Sequence, residues 1–477
     1  MRTEHLKTFA LTASRAAFAF ILAAGMLFAA GCGGGGGSTA GQNPGPTPSP
    51  SPTPSTGSTS SAQVRFGDAP ADSVISFEVS VTALTLTPSD GGTPVSVPVG
   101  ANNRIELTHA SGKFEPFSVG SLPQGTFSAA NLTLADSELT FLSSTGLPVH
   151  VNGPASAQVT ISLSPALTIG SSPLVLNIDV NVANSITTNG SAVTGISFGP
   201  TSFNITAKAP GAQGAQQDDD GEIEDLRGTV TAATSSNFTL QVGQTGSSMT
   251  FNFDSTTKFS DGATATTLLN QIVIVEGFTR SDGSLFAKEV EGLESSTGSE
   301  LEGLIRSISG TLLTVTSDDG VGAGMDASKI GADFTVDISG LKASKFKVDG
   351  GNGFGSLIPA TLIFDNTTIH EGQRIEVESN SPVPPANGSI TVDKIKLQQQ
   401  GISGSVSNLA AGGTTFDLTL GADSALKVIS GQTVVHVITV TATDNRSGAI
   451  ANGSNLRVRG LLFWDGTSWN MVARRIQ

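Results

Sequence analysis

The chain of 477 residues predicts an all-β protein: an N-terminal β-sandwich, immunoglobulin- or transthyretin-like in style, followed by three small OB-like β-barrel repeats. Three observations carry this. Apolar residues alternate with polar ones, most clearly at Leu174, Leu176, Ile178, Val180 and Val182, the period that turns one strand face into a core. The 57 Gly and 22 Pro interrupt the chain too often for long helices. A pattern that opens on glycine and closes through Asp-Gly or Asn-Gly also recurs in the second half. With 38% hydrophobic residues the chain has enough apolar material for several cores. Its single cysteine rules out an internal disulfide and any multi-thiolate metal site. A net charge of −15 argues against nucleic acid as a partner.

The first segment, residues 1–31, reads as a signal peptide. Arg2, Lys7 and Arg15 form a basic start, and Ala16 to Ala30 run without a charge, too short for a spanning helix. The run ends Phe28-Ala29-Ala30-Gly31-Cys32, which resembles a bacterial lipobox with Ala29 where leucine is commonest. The resemblance implies that Cys32 is acylated and holds the chain on a membrane. A plain secretory signal, with Cys32 a linker thiol, is the alternative. By the same resemblance Gly33 after the cysteine implies sorting to the outer membrane. Residues 32–62 are a disordered tether: Gly33 to Gly37, then prolines alternating from Pro44 to Pro54, extended for roughly 30 Å at about 3.1 Å per residue.

Residues 63–208 are expected to form the sandwich. Along Val74 to Pro88 the apolar phase runs Ile75, Phe77, Val79, Val81 and then moves to Leu84 and Leu86, so a bulged, bent strand is predicted. Val64-Arg-Phe-Gly-Asp68-Ala69-Pro70, Leu122-Pro-Gln-Gly125-Thr-Phe127, Leu176-Asn-Ile-Asp179 and Phe198-Gly-Pro200 resemble domain of unknown function 4382, a family of bacterial lipoproteins to which no activity attaches; Phe127 stands where the family has tyrosine.

An acidic linker, 209–221, leads to repeats at 222–296, 297–398 and 399–477. The first opens Gly228-Thr-Val-Thr and closes with Ile272 to Gly277, Asp282-Gly283, Ala287 and Val290. The third opens Gly404-Ser-Val-Ser and closes with Leu456 to Gly460, Asp465-Gly466, Ala473 and Ile476. The second opens at Gly303 and closes through Arg374-Ile-Glu-Val-Glu378 and Asn387-Gly388, with an insertion over Val321 to Phe354 that reads as an exposed loop. The opening glycine admits a close strand approach, and the Asp-Gly turns favour hairpins. These units resemble domain of unknown function 5666, most specifically in the first and third copies. The modules are expected to be strung as a rod.

Catalytic parts are missing. His370-Glu371 begins like a zinc-protease helix motif, but Arg374 occupies the place of the second histidine. No nucleophile elbow or phosphate loop occurs. Glu376 and Glu378 are spaced to share a strand face, yet their alternation with Ile375 and Val377 reads as a solvated surface. Asn177, Asp179 and Asn181 read likewise as a polar outer face. Asp218, Asp219, Asp220 and Glu222 form a candidate calcium site that fails the EF-hand frame, with a hydrated linker as the alternative. The last module carries four acids and six bases and both tryptophans. Trp464 and Trp469, beside Arg457 and Arg459, form a candidate stacking face for a ligand; the alternative is that the tryptophans fill the barrel end. No cofactor is required.

The expectation is a lipid-anchored cell-envelope protein, outer-membrane and periplasmic or surface-exposed. It would be a non-catalytic adhesion or ligand-binding array for carbohydrate or protein. The alternative is a structural spacer or assembly scaffold without a tight ligand.

Overall fold

The computed structural model describes residues 58–69, 72–99, 104–110, 113–189, 192–211, 220–243, 246–293, 298–440, 445–446 and 450–477. The described chain is all-β, as expected; the one α-helix among these residues is the short Ala425–Ser430. Cys32 and residues 33–57 of the expected tether lie outside the described residues, whereas its end is not disordered: Thr59 to Ala62 already pair in the strand Thr59–Ala69. No helix among the described residues is long and apolar enough to cross a membrane.

Two sheets pack face to face in the N-terminal region. One has strands Phe203–Lys208, Leu174–Asn181, Thr59–Ala69 and Phe114–Pro123 in that order. The other is built on Val74–Pro88 and Gly125–Leu142, with shorter strands paired to each. Phe77, Val81, Leu132, Leu176 and Ile178 meet between them in an apolar core. The predicted bulge is present: the register of Val74–Pro88 against Gly125–Leu142 slips between Val81 and Ala83, where the apolar phase changes, and also between Val74 and Ser76, Glu78 and Ser80, and Thr87 and Pro88. Asn177 departs from expectation. It lies 1% exposed in the middle strand of its sheet, so the polar row it shares with Asp179 is not an open outer face.

The three repeats share one plan. In the first, Glu222–Ala233, Asn237–Val242, Ser248–Asn252, Leu285–Gly292 and Ile272–Thr279 pair in a ring, and a short strand, Lys258–Ser260, runs parallel to Leu285–Gly292. In the third, Gln399–Ser407, Thr415–Leu420, Val434–Thr439, Trp469–Ile476 and Asn455–Trp464 close the same ring, with Asn445–Arg446 as the added parallel strand. Closure leaves each small sheet without a long free edge. The second repeat has this ring with its last strand cut in two: Ser389–Thr391 pairs with Asp333–Asp337, and Lys394–Leu397 pairs with Arg374–Ser379. Its insertion is not an exposed loop. Asp333–Asp337 and Phe346–Val348 are sheet strands, and Phe334, Val336 and Phe354 are buried because they fill this barrel's core.

The opening glycines work as the sequence implied. A Cβ at Gly228, Gly303 or Gly404 would collide with the carbonyl oxygen of Gln241, Thr316 or Thr419 on the adjacent strand. Gly283 and Gly466 take positive φ, 83° and 96°, in the expected hairpin turns.

The modules do not form a rod. Thr56–Gln477 is one compact unit. The sandwich touches the first repeat through Thr279 Oγ1 donating to Gln63 Oε1 at 2.6 Å, and the third through Ser403 N donating to Asp72 Oδ2 at 2.9 Å. Leu461, Phe463 and Val472 of the third repeat complete the apolar core of the second.

Candidate functional site

The strands that build the barrels have two buried faces. Along Ser299–Ser309 and Arg374–Ser379, Leu301, Ile305, Ile375 and Val377 point into the barrel core. The alternate residues Glu300, Glu302, Arg374, Glu376 and Glu378 are also buried, because the sandwich and the other repeats cover that face. Glu376 and Glu378, at 1% and 3% exposure, are therefore not the solvated surface their alternation suggests. They belong to an ionic junction between the modules.

Arg227 of the first repeat lies at its centre. It pairs with Glu300, lies 2.7 Å from Glu302 and 3.4 Å from Glu376, and reaches Asp319 at 3.3 Å. Arg374 donates to Glu302 at 2.6 Å and meets Asp318 at 3.0 Å. His109 of the sandwich contacts Glu115 at 3.0 Å and Glu302 at 3.6 Å. Lys394 binds Glu378 at 2.7 Å and Glu291 at 2.9 Å, joining the second repeat to the first. Arg475 of the third repeat binds Glu222 and Glu224 of the first, both at 2.9 Å.

Burial and electrostatics compete here. Burial alone would raise the Glu302 carboxyl, but Arg227, Arg374 and His109 hold it well below its usual range. Burial and the neighbouring Glu376 lift Glu300 to about 8 against the pull of Arg227. Asp318 rises to about 7, chiefly through burial. Burial and Lys113 push the His109 ring down, yet Glu115, Glu302 and Asp319 outweigh them and raise it to about 9. The same ring nitrogens lie 2.9 Å from Lys113 Nζ and 3.1 Å from Arg374 Nη2, so the ring sits within a charge lattice rather than in a pair. Every acid here is held by cations or buried against another acid, and the arrangement clamps modules together.

A cleft of about 700 Å³ lies where the sandwich meets the first two repeats. Arg104 and Glu78 stand on the sandwich wall, Gln241 and Asn270 on the first repeat, and Val321 and Met325 on the second. Arg104 makes a two-pronged pair with Glu78, at 2.7 and 2.8 Å. Burial raises the Glu78 carboxyl, and Arg104 offsets this only in part. The lining offers a cation, an anion, side-chain amides and apolar surface side by side.

The residues anticipated for ligand and metal fall elsewhere. Trp469 is 1% exposed in the third barrel's core, packed edge-on to Trp464 and His370 with ring centroids 5.1 Å away in both cases. Arg459 is 3% exposed and faces the charge of Glu224, while Arg457 is partly buried. Trp464 and Arg457 are half-buried, whereas Trp469 and Arg459 are enclosed, so the four do not share one open face. Asp218 and Asp219 lie outside the described residues. Glu222 is occupied by Arg474 and Arg475, so it is not a free calcium ligand. A different acidic group converges instead: Asp225, Glu276 and Asp349. No sequence spacing announced it, since its members are 51 and 73 residues apart in the chain.

Residues 227–291 match the family described as Domain of unknown function (DUF5666), a span that takes in most of the ring of the first repeat. No curated protein matches the chain.

Proposed function

We propose that this is a lipid-anchored cell-envelope protein, outer-membrane and periplasmic or surface-exposed, that binds a protein ligand without catalysis. The anchor rests on Cys32 and the lipobox-like residues before it, and the sandwich's kinship on its likeness to domain of unknown function 4382. The observation that carries the binding reading is the cleft between three modules. Its volume of about 700 Å³ falls within the usual range of ligand sites. Among the described lining residues there is no aromatic ring to stack on a sugar, whereas Arg104, Glu78, Gln241 and Asn270 beside Met325 and Val321 suit the mixed polarity of a peptide segment. The ionic junction supports rigidity in the walls, which lowers the ordering cost of binding.

The test is a screen of the chain from Cys32 onward against immobilised peptides and oligosaccharides. Peptide binding that weakens about tenfold or more, near 1.4 kcal/mol, in Arg104→Ala and Asn270→Ala with unchanged circular dichroism supports the reading. Binding of oligosaccharides alone, or peptide binding indifferent to both substitutions, overturns it. Fatty-acid labelling lost in Cys32→Ser tests the anchor separately.

A further inference from the structure

The three repeats converge on one small volume, independently of the cleft. Asp225 comes from the opening strand of the first repeat, and Glu276 from that repeat's strand Ile272–Thr279. Asp349 follows the short strand Phe346–Val348 of the second repeat, and Gln399 begins the third repeat's opening strand, Gln399–Ser407. One carboxylate oxygen from each acid lies within 4.8 Å of the others. Oxygens on opposite sides of a calcium ion, at about 2.3–2.6 Å from it, are separated by roughly the same span. Asp225 and Asp349 are 8% and 6% exposed, so water does little to screen the group.

Converging acids alone would not specify a ligand. Gln399 adds an independent observation. It is 5% exposed, and its Nε2 donates to Asp349 Oδ2 at 2.7 Å. Its Oε1 is buried and has no hydrogen-bond partner among the described residues. A buried amide oxygen without a donor is costly. Half a turn of the terminal amide exchanges its two ends and sets that oxygen beside Asp349, where a cation would satisfy it.

The backbone is shaped around the same point. Asp225 has φ +49° in the strand bulge between Ile223 and Leu226, a left-handed conformation that residues with side chains adopt seldom. Gly351 N donates to Asp349 Oδ1 at 3.2 Å, and a Cβ on Gly351 would run into Glu276 Oε1. Only glycine lets the loop come this close. Nearby cations contribute: Lys113 Nζ is 3.9 Å from Asp225 Oδ2, and Lys396 and Arg459 act at longer range. Burial and the charge of Asp225 raise Asp349 to about 7, and burial with Asp225 and Asp349 raises Glu276 further from its usual range.

We infer that Asp225, Glu276 and Asp349, with the amide oxygen of Gln399, form a calcium site that ties the three repeats together. Three carboxylates, each mono- or bidentate, plus one amide oxygen can supply up to about seven ligands, within the six to eight that calcium takes. Magnesium demands a tighter octahedron at about 2.0–2.1 Å and suits this span less well. Because the donors come from three repeats, the ion would bind the folded assembly and not the unfolded chain, and so raise its stability.

The experiment is calorimetric titration of calcium chloride into the EDTA-treated chain from Cys32 onward, with thermal unfolding run in parallel. One equivalent of bound calcium and an upward shift of the unfolding midpoint by a few degrees are expected. In Asp349→Asn the affinity falls at least tenfold and the calcium-dependent shift disappears. The calcium-free midpoint stays level or rises in that variant, because a repelling charge has gone; a merely structural carboxylate would lower it. Gln399→Met, which keeps the volume and removes the amide, weakens calcium binding with little change in calcium-free stability. Absence of calcium binding at millimolar concentration, a response to magnesium alone, or affinity retained within twofold in both variants overturns the inference.

Discussion

The sandwich core and the ionic junction are equally shut off from water and are built from opposite chemistry. Phe77, Leu132, Leu176 and Ile178 are fully buried among other apolar groups, with Phe77 stacked on Phe198 at 6.0 Å. Arg227, Glu300, Glu302 and Glu376 are nearly as buried among charges. Apolar contacts are non-directional, so the sandwich core holds its two sheets together but is forgiving of small shifts. Ion pairs lose their value when a partner moves by an ångström or two, and the charges they leave unpaired are expensive. The comparison teaches that apolar cores hold the sheets together, the second repeat's core being completed by the third, while the charges help set how the modules sit against one another.

Removing one partner from the junction is the strongest way to break this comparison. Arg227→Ala leaves Glu300, Glu302 and Glu376 facing one another in a dry interface and is expected to cost about 3–5 kcal/mol. Urea unfolding followed by fluorescence and by circular dichroism reads the loss. A cost near zero would mean that the junction is wetter and looser than its burial implies.

Titration sharpens the contrast, since only the junction ionises. Glu300 and Asp318, at about 8 and 7, hold protons more tightly folded than unfolded. The stability they contribute is complete below the unfolded carboxyl range and is lost as pH rises through their folded values. His109, raised to about 9, acts in the same direction between about 6.5 and 9. The chain is therefore expected to lose stability progressively from about pH 5, just above the unfolded carboxyl range, to about pH 9, measured by the urea midpoint. Glu302 and Glu115, held low by their cations, give the opposite limb: their contribution disappears on acidification below the ordinary carboxyl range. A flat profile on the alkaline side would contradict the charged description.

The smallest effect belongs to the apolar side. Ile178→Val, at a fully buried position, is expected to cost about 0.5–1.5 kcal/mol with the same pH dependence as the parent. A changed pH profile in that variant would show that the two regions are coupled rather than independent.

Much of the fold was legible because its signals are local. The bulge after Val81 was visible as a change of phase, and the hairpins at Asp282-Gly283 and Asp465-Gly466 as turn chemistry. The second repeat's insertion was misjudged for the same reason: Gly, Asp and Lys read as loop, whereas Phe334, Val336 and Phe354 were needed to fill a core. The candidate sites were far less legible. Trp464 and Trp469 stood out by composition, yet aromatic residues fill barrel ends as readily as they meet ligands, and Trp469 is buried.

The sequence by itself determined the strands, their inward faces and the grammar of the repeats, since alternation and turn residues act over a few positions of the chain. Only the tertiary structure decided what the other faces do. Arg227 meets Glu300 across 73 residues and Glu376 across 149, and Asp225, Glu276, Asp349 and Gln399 arrive from three repeats. A charged strand face has the same pattern whether water or another module covers it, and the packing of whole modules is what chose between them.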